Sequence, residues 1–476
     1  MIRLDGVSWT YPHAASPSLR AIDLRIRPGE LVVLCGASGC GKSTLLRVMN
    51  GLIPHFHPEG TLTGSVKVGG LDTAGVELDQ LGLVTGTVLQ HPRRQFFTDT
   101  APEELAFAME NFGFPPAEIR ARVADLAAAL APAVPPNARL RHLSGGLQQQ
   151  VAIASATAHR PQVLLLDEPS SNLSADAVRR LAATVSGLRS DGLTVVIAEH
   201  RLRYLRDLAD RVVVLDDGRI GVEWSAAEFR DVPDSALEGL GLRGEVRPAA
   251  LPPIAATGPS VAAPNPDGAA SAGLELAGVR CRIGGRLVLD LDRALFPAGQ
   301  VTCVRGANGV GKTTLARVVA GLQRSSGQVR FDGRAWSRRG RQRLSAIVMQ
   351  DVQRQLFTDT VQAEIELAAA RAPGGPSAER VLAALDLADL AGRHPLSLSG
   401  GQQQRLVVAA ARVSGRRIVI FDEPSSGVDR RHLRSISDQI RQVAAGPATV
   451  LLISHDEDLI ALAGDCQLWL RPVCGL

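Results

Sequence analysis

Lysine is almost missing from this 476-residue chain: Lys42, Lys67 and Lys312 are the only three among 52 lysines and arginines. Where arginine is the habit, a retained lysine marks a place that needs a compact ammonium, not a planar guanidinium. Long apolar runs are missing too. No stretch approaches the roughly 18 residues of a membrane-spanning helix, which argues against a chain that crosses a bilayer by itself. The six cysteines (Cys35, Cys40, Cys281, Cys303, Cys466 and Cys474) form no C-x-x-C pair and have no histidines at zinc spacing, so free buried thiols are expected. A strong charge of one sign is lacking as well. The net charge is +4 with the basic residues dispersed, too weak a signal for a nucleic-acid binder. The opening MIRLDG sets Asp5 where a secretory signal would be apolar, and the expectation is a protein that stays inside the cell.

What is present is duplication. The length suits two domains of ordinary size, and the motifs come twice in one order. GASGCGKST at 36–44 returns as GANGVGKTT at 306–314, QFFTDT at 95–100 as QLFTDT at 355–360, and LSGGLQQQ at 143–150 as LSGGQQQR at 398–405. LLLDEPSS at 164–171 returns as VIFDEPSS at 419–426, and His200 as His455. The offset falls from 270 residues between Gly36 and Gly306 to 255 between Ser144 and Ser399, so two homologous domains differ in loop length. The expected division is 1–245 for the first domain, 246–273 for a disordered linker rich in Pro, Ala, Gly and Ser, and 274–476 for the second domain.

Short apolar runs at 31–35, 163–166, 194–198, 301–305, 418–421 and 449–453 predict strands buried on both faces. Alternating with helices, they imply an α/β fold with a parallel sheet.

The motifs carry phosphate chemistry. In GxxxxGK[ST], glycines let backbone N–H groups approach phosphates and a helix N-terminus adds positive charge. The first cradle is Gly36, Ala37, Ser38, Gly39, Cys40, Gly41, Lys42, Ser43 and Thr44; the second is Gly306, Ala307, Asn308, Gly309, Val310, Gly311, Lys312, Thr313 and Thr314. Lys42 and Lys312 would reach the β- and γ-phosphates, with Ser43 and Thr313 on Mg²⁺. Asp167 and Asp422 end apolar strands, where a carboxylate needs a cation, and Mg²⁺ is the expected one. Continuing an extended chain, Glu168 and Glu423 would point the opposite way and activate the attacking water. His200 and His455 each lie 33 residues past their aspartate and would hydrogen-bond the γ-phosphate or that water. Ser144 with Gly145 and Gly146, and Ser399 with Gly400, Gly401 and Gln402, precede helical stretches as anion-facing N-caps.

Together these residues resemble the nucleotide-binding domains of ABC ATPases, over nearly all of both domains. The resemblance implies, in each domain, a P-loop core of mostly parallel sheet, an antiparallel β subdomain and a helical subdomain carrying the signature. ATP and Mg²⁺ are the implied cofactors, with Gln90 and Gln350 added to the nucleotide and metal contacts and Tyr11 stacking on adenine. It further implies head-to-tail pairing of the two domains, so that the sites differ: the signature reads LSGGQ at 398–402 but LSGGL at 143–147, and Ser174 stands where the other repeat has the D-loop Asp429. Ile283 stands where an aromatic residue would stack.

The stretches QHPRRQFFTDTAPEELAF after position 89 and QDVQRQLFTDTVQAEIEL after 349, with EHRL at 199–202, are similar to the ATPases of energy-coupling factor importers of vitamins and metal ions. That likeness implies a transmembrane coupling protein and a substrate-binding membrane protein as partners, at the cytoplasmic face of the membrane, with no nucleic acid. Arg93, Arg94 and Arg354 depart from the acidic residues usual there. A sugar-type importer ATPase and a tandem ABC protein acting on ribosomes are the alternative readings. A scaffold that binds ATP without hydrolysing it is a third, weighed against by both catalytic glutamates.

Overall fold

Alternation along short apolar strands sets the layers of the first unit, Met1–Glu245. In the strand Leu31–Cys35 every residue is buried, yet Val32 and Leu34 enter one core while Leu31, Val33 and Cys35 enter another. The same split divides Val163 and Leu165 from Leu164 and Leu166, and Val196 and Ala198 from Val195 and Ile197. Successive side chains leave opposite faces of a strand, so a run without polar residues is a strand covered on both sides. Each valine, leucine or isoleucine among them contributes about 1.5–3 kcal/mol by burial.

The computed structural model describes residues 1–12, 14, 16–131, 133–135, 138–171, 173–243, 249–258, 273–349, 352–370, 377–425 and 430–473. In the first unit a six-stranded sheet runs in the order Arg219–Ser225, Arg211–Asp216, Leu31–Cys35, Thr194–Ala198, Val163–Asp167 and Thr85–Val88. All neighbours are parallel except the first pair. One face packs against an antiparallel sheet, Leu19–Ile26, Ile2–Thr10, Thr61–Val68 and Leu71–Asp72, and the helix Lys42–Met49. The other face meets the helices Gly145–Ala156 and Ala175–Ser190. Helices Ala101–Asn111, Pro116–Leu130 and Gly145–Ala156 form the helical part, with a small core of Ala101, Val134, Leu140, Leu143 and Val151.

The second unit, Val246–Leu476, repeats this plan. Its parallel sheet runs Ser345–Val348, Ile418–Asp422, Thr449–Ile453, Val301–Arg305 and Cys466–Trp469. Its antiparallel sheet runs Ala256–Thr257, Arg286–Pro297, Gly273–Ile283, Ser326–Phe331 and Arg334–Ala335. Both units are therefore α/β, each with a parallel core sheet, an antiparallel sheet and a helical part. No described helix is long and apolar enough to cross a membrane.

The expected linker is corrected over residues 249–258, which are docked on the second unit instead of hanging free. The Ile254 amide donates to the Gln467 carbonyl and the Gln467 amide to the Pro252 carbonyl, both at 2.9 Å. Gln467 Nε2 donates to the Leu251 carbonyl at 2.6 Å. Ala256 and Thr257 then pair with Ala294 and Arg293. Ile254 and Ala256 are buried in the core under the antiparallel sheet. An edge segment uses only half its amides, which is why Pro252 and Pro253 fit there. Residues 246–248 and 259–272 of the expected linker lie outside the described residues, as do Gln350, Asp429 and Cys474.

Candidate functional site

Parallel strands deliver their loops to one end of the sheet, and in α/β sheets that end holds the ligand. In the first unit Leu34 and Asp167 both register with Ala198, so three loops leave side by side. They are the glycine-rich loop after Cys35, the Asp167–Glu168 pair and the segment Glu199–His200.

The glycine-rich loop exists only as glycine backbone. Gly36, Gly39 and Gly41 have φ of 143°, 83° and 105°. A Cβ on Gly36 would lie 2.2 Å from the Leu215 carbonyl oxygen, and one on Gly41 2.7 Å from that of Ser18. Gly306, with φ of 139°, repeats this at 2.4 Å from the Leu470 carbonyl oxygen. Cys40 and Val310 are buried at matching positions beneath the two loops. The loop residues Ala37, Ser38, Ala307 and Asn308 lead to the helices Lys42–Met49 and Lys312–Val319, which begin with Lys42, Ser43, Thr44 and with Lys312, Thr313, Thr314.

Each lysine curls back into its loop. Lys42 Nζ donates to the Gly36 and Ala37 carbonyls at 2.9 Å each. Lys312 Nζ donates to the Gly306 and Ala307 carbonyls at 2.8 and 3.0 Å. Burial pushes the Lys312 ammonium down, against Glu423 and Asp422. A buried ammonium held by carbonyl oxygens at the mouth of an open amide cradle fits a polyphosphate.

Ser43 Oγ donates to Asp167 Oδ1 at 3.0 Å. Burial, then the neighbouring Glu168, push the Asp167 carboxyl up to about 6. Asp422 is likewise pushed up by burial, with the Thr313 hydroxyl opposing. A hydroxyl beside a desolvated carboxylate is a hard oxygen pair of the kind that suits a small divalent cation, and such a cation would relieve the buried charge. Among the described residues no group of three His, Cys, Asp or Glu side chains is placed to hold a metal.

Glu168 is the convergence point. Gln90 Nε2 donates to its Oε2 at 2.6 Å, and His200 Nε2 lies 2.9 Å from its Oε1. Ser171 Oγ donates to Oε2 at 3.2 Å. Burial pushes this carboxyl up, but the His200 ring, Lys42 and Ser171 outweigh it and hold it at about 2, so Glu168 is an anion. The expectation of a continuing extended chain is corrected here. Glu168 and Glu423 have φ of 45° and 55°, left-handed in both units. A strained non-glycine backbone repeated at one position turns the carboxylate toward the histidine. In the second unit the histidine ring stands farther off: His455 Nε2 lies 3.8 Å from Glu423 Oε1, while the His455 amide and Ser454 Oγ donate to Glu423 Oε2 at 3.3 and 3.4 Å.

Sequence reasoning missed Glu199, whose buried carboxylate accepts from Ser170 Oγ at 2.9 Å, from the His200 and Arg201 amides at 3.0 and 2.9 Å, and from Tyr204 at 3.2 Å. It clamps the segment carrying His200. The signal was present in EHRL, where a carboxylate adjoins the histidine at a strand end.

The signature serines cap helices as expected, but not alike. Ser399 and Gln402 make a reciprocal capping box on Gly400–Val413, with Gly400 and Gly401 in the first turn. Ser144 caps Gly145–Ala156 without a side-chain bond, and Leu147, in the place of Gln402, packs on the small helical core, while Gly146 abuts Ala177. Tyr11 sits by the first loop, its hydroxyl 3.3 Å from Thr44 Oγ1, whereas Ile283 is exposed.

Comparisons with known proteins meet this geometry. The family model described as ABC transporter matches residues 19–171 and 293–426. The chain is 39% identical over 464 residues to a Treponema denticola protein provisionally named an ABC transporter ATP-binding protein, covering 97% of this chain and 93% of that one. A Streptomyces avermitilis protein of the same name is 34% identical over 516 residues, covering 97% and 90%. The solved structure of RNase-L inhibitor superposes with a TM-score of 0.61 at 20% identity, over 99% of this chain and 91% of that one, a likeness of fold alone.

Proposed function

The chain belongs to the ABC transporter family, as a tandem ATP-binding protein with ATPase cassettes, and from that premise we propose that it powers an importer of the energy-coupling factor type through separate membrane subunits. Each cradle would hold the ATP phosphates, with Lys42 and Lys312 on the β- and γ-phosphates. Mg²⁺, when bound, neutralises phosphate charge; Ser43, Asp167 and Gln90 would hold it in one unit, and Thr313, Asp422 and Gln350 in the other. Glu168 and Glu423 would each take the proton of the attacking water on a carboxylate oxygen, and His200 and His455 would fix the other side of that carboxylate.

The observation that carries the transport reading is a loop built twice. Directly after the Gln90 segment, Phe97 is 74% exposed, and Phe357 in the second unit is 77% exposed. Neither loop is slack. The buried Glu104 Oε2 accepts from the Phe97 and Thr98 amides and from Thr98 Oγ1 at 2.9–3.1 Å, and Glu364 holds Phe357 and Thr358 in the same way at 2.8–3.1 Å. A buried carboxylate that rigidifies an aromatic on the surface is an anchor for a partner, and its place beside the glutamine that touches Glu168 links docking to catalysis.

The test is co-isolation of the full chain from detergent-solubilised membranes of its own cell. An integral coupling protein and a small hydrophobic binding protein are expected with it. The double variant Phe97→Asp/Phe357→Asp should retain about a tenth or less of the captured partner while keeping its ATPase rate. Recovery of ribosomes instead, or full retention of the partner by the double variant, would overturn the reading.

A further inference from the structure

The strand that enters the second glycine loop ends in a charge. Arg305 directly precedes Gly306, and its side chain is only 12% exposed. One nitrogen of the guanidinium pairs with Glu457 Oε1. Another donates to the Ala249 carbonyl and to Gln467 Oε1, at 3.4 Å each, and the group lies 5.1 Å over the Trp469 ring. Glu457 opens the helix Glu457–Ala463, two residues after His455. Its other oxygen, Oε2, is buried and meets no hydrogen-bond partner among the described residues, so the carboxylate depends on Arg305.

The fold does not demand this set. Arg305 registers with Trp469 as Cys35 does with Val214, and Glu457 follows His455 at the spacing at which Leu202 follows His200. Cys35, Leu202 and Val214 share one apolar core with Phe229 and Leu237 of the helices Ala226–Asp231 and Asp234–Gly239. In the second unit the same three places hold a guanidinium, an indole and a carboxylate, and the docked segment 249–258 meets them. The Leu251 carbonyl takes Gln467 Nε2 at 2.6 Å, which leaves Gln467 Oε1 for Arg305. A second exchange goes with the first: Ser454 stands where the first unit has the clamp Glu199.

We propose that Arg305 and Glu457 are a positioning pair for the second catalytic end, taking over the task of Glu199, and that the docked segment holds the pair together. Val301–Arg305 and Thr449–Ile453 are neighbouring parallel strands. One leads to the loop of Lys312, the other to His455, and the pair ties the two exits to each other. The His455 amide donates to Glu423 Oε2 at 3.3 Å, so a shift of the helix that Glu457 opens moves a partner of the general base. An ion pair sheltered in this way adds little stability over apolar packing; what it contributes is a fixed geometry.

The experiment needs the purified full chain and no membrane partner. In a Glu168→Gln background, which leaves Glu423 as the general base, steady-state hydrolysis is measured beside deuterium exchange at the His455 amide. Arg305→Gln and Glu457→Gln should each lower kcat about tenfold, keep KM for ATP within about twofold, and speed exchange at His455 about tenfold. The double variant Arg305→Gln/Glu457→Gln should fall no further than either single one, because the two residues act as a unit. Arg305→Lys keeps an ammonium for Glu457 and should stay within about threefold of the parent kcat. Leu251→Asp loosens the docked segment without touching either charge and should reproduce the loss in kcat. If Arg305→Gln does not fold, Glu457→Gln decides. If the Glu168→Gln chain hydrolyses too slowly to follow, exchange at His455 decides, which also separates failure of this pair from failure of the ATPase reading. Additive losses, unchanged kcat or unchanged exchange in the single variants, a lysine variant no better than the glutamine one, or full activity in Leu251→Asp would each overturn the proposal.

Discussion

Glu199 shows how a single buried carboxylate organises a catalytic end. Its hydrogen-bond donors include the backbone amides on which His200 rides, so its role is positioning. Glu199→Gln keeps the shape but offers one acceptor oxygen in place of two charged ones, and the His200 ring should drift from Glu168. Small misplacements of catalytic groups are costly. The expected outcome is a fall in kcat of about tenfold to a hundredfold with KM for ATP within about twofold, measured by steady-state hydrolysis. Equal loss in both parameters would mean that Glu199 merely supports the fold. At this scale the sequence was most legible where chemistry forces the residue: the glycines whose Cβ would strike a carbonyl, the lysines spared from replacement by arginine, and the carboxylates that end apolar strands. The left-handed backbone at Glu168 and the clamp at Glu199 were not legible, because both depend on which loops the parallel register brings together.

Elements were readable wherever burial imposed a period. All six apolar runs form strands, because a strand covered on both faces leaves no polar position to blur the signal. The docked segment 249–258 at the start of the second unit was missed for the opposite reason: Leu251, Ile254 and Ala256 are too few among prolines and alanines to mark a strand, although Ile254 is 6% exposed in the structure. It follows that the strap belongs to the second unit's stability. Ile254→Ala removes a buried aliphatic side chain and should lower the unfolding free energy of that unit by about 2–4 kcal/mol, read by urea denaturation followed at a probe in residues 273–476. The Ile254 and Gln467 amides, which face carbonyls at 2.9 Å, should exchange with deuterium as slowly as those of the neighbouring sheet. A shift below about 0.5 kcal/mol, the usual range for surface changes, with fast exchange at both amides, would return the segment to a passive tether.

For the molecule as a whole, the repeat made the architecture readable from the order of amino acids alone, since two motif sets in one order permit few other folds. Leu147, Ser174 and Ile283 already mark the copies as unequal in the sequence; what the sequence does not show is how the catalytic ends differ. Each unit by itself presents a different carboxylate–histidine pair: His200 Nε2 lies 2.9 Å from Glu168 Oε1, whereas His455 Nε2 stands 3.8 Å from Glu423 Oε1. The signature helices differ too, one closed by the Ser399–Gln402 box and the other carrying Leu147 turned into the helical core. General-base glutamates contribute about 10²–10⁴-fold to a rate, so neutralising them one at a time reports which end carries turnover. Glu168→Gln should leave about a third or less of the activity that Glu423→Gln retains, while both variants bind ATP with wild-type affinity because neither touches Lys42, Lys312 or the glycine loops. Steady-state hydrolysis, paired with equilibrium binding of a fluorescent ATP analogue, makes the comparison. Should Glu168→Gln remain the faster variant, the tighter carboxylate–histidine pair is not the more active one, and the looseness at Glu423 must be an adaptation for turnover instead of a defect.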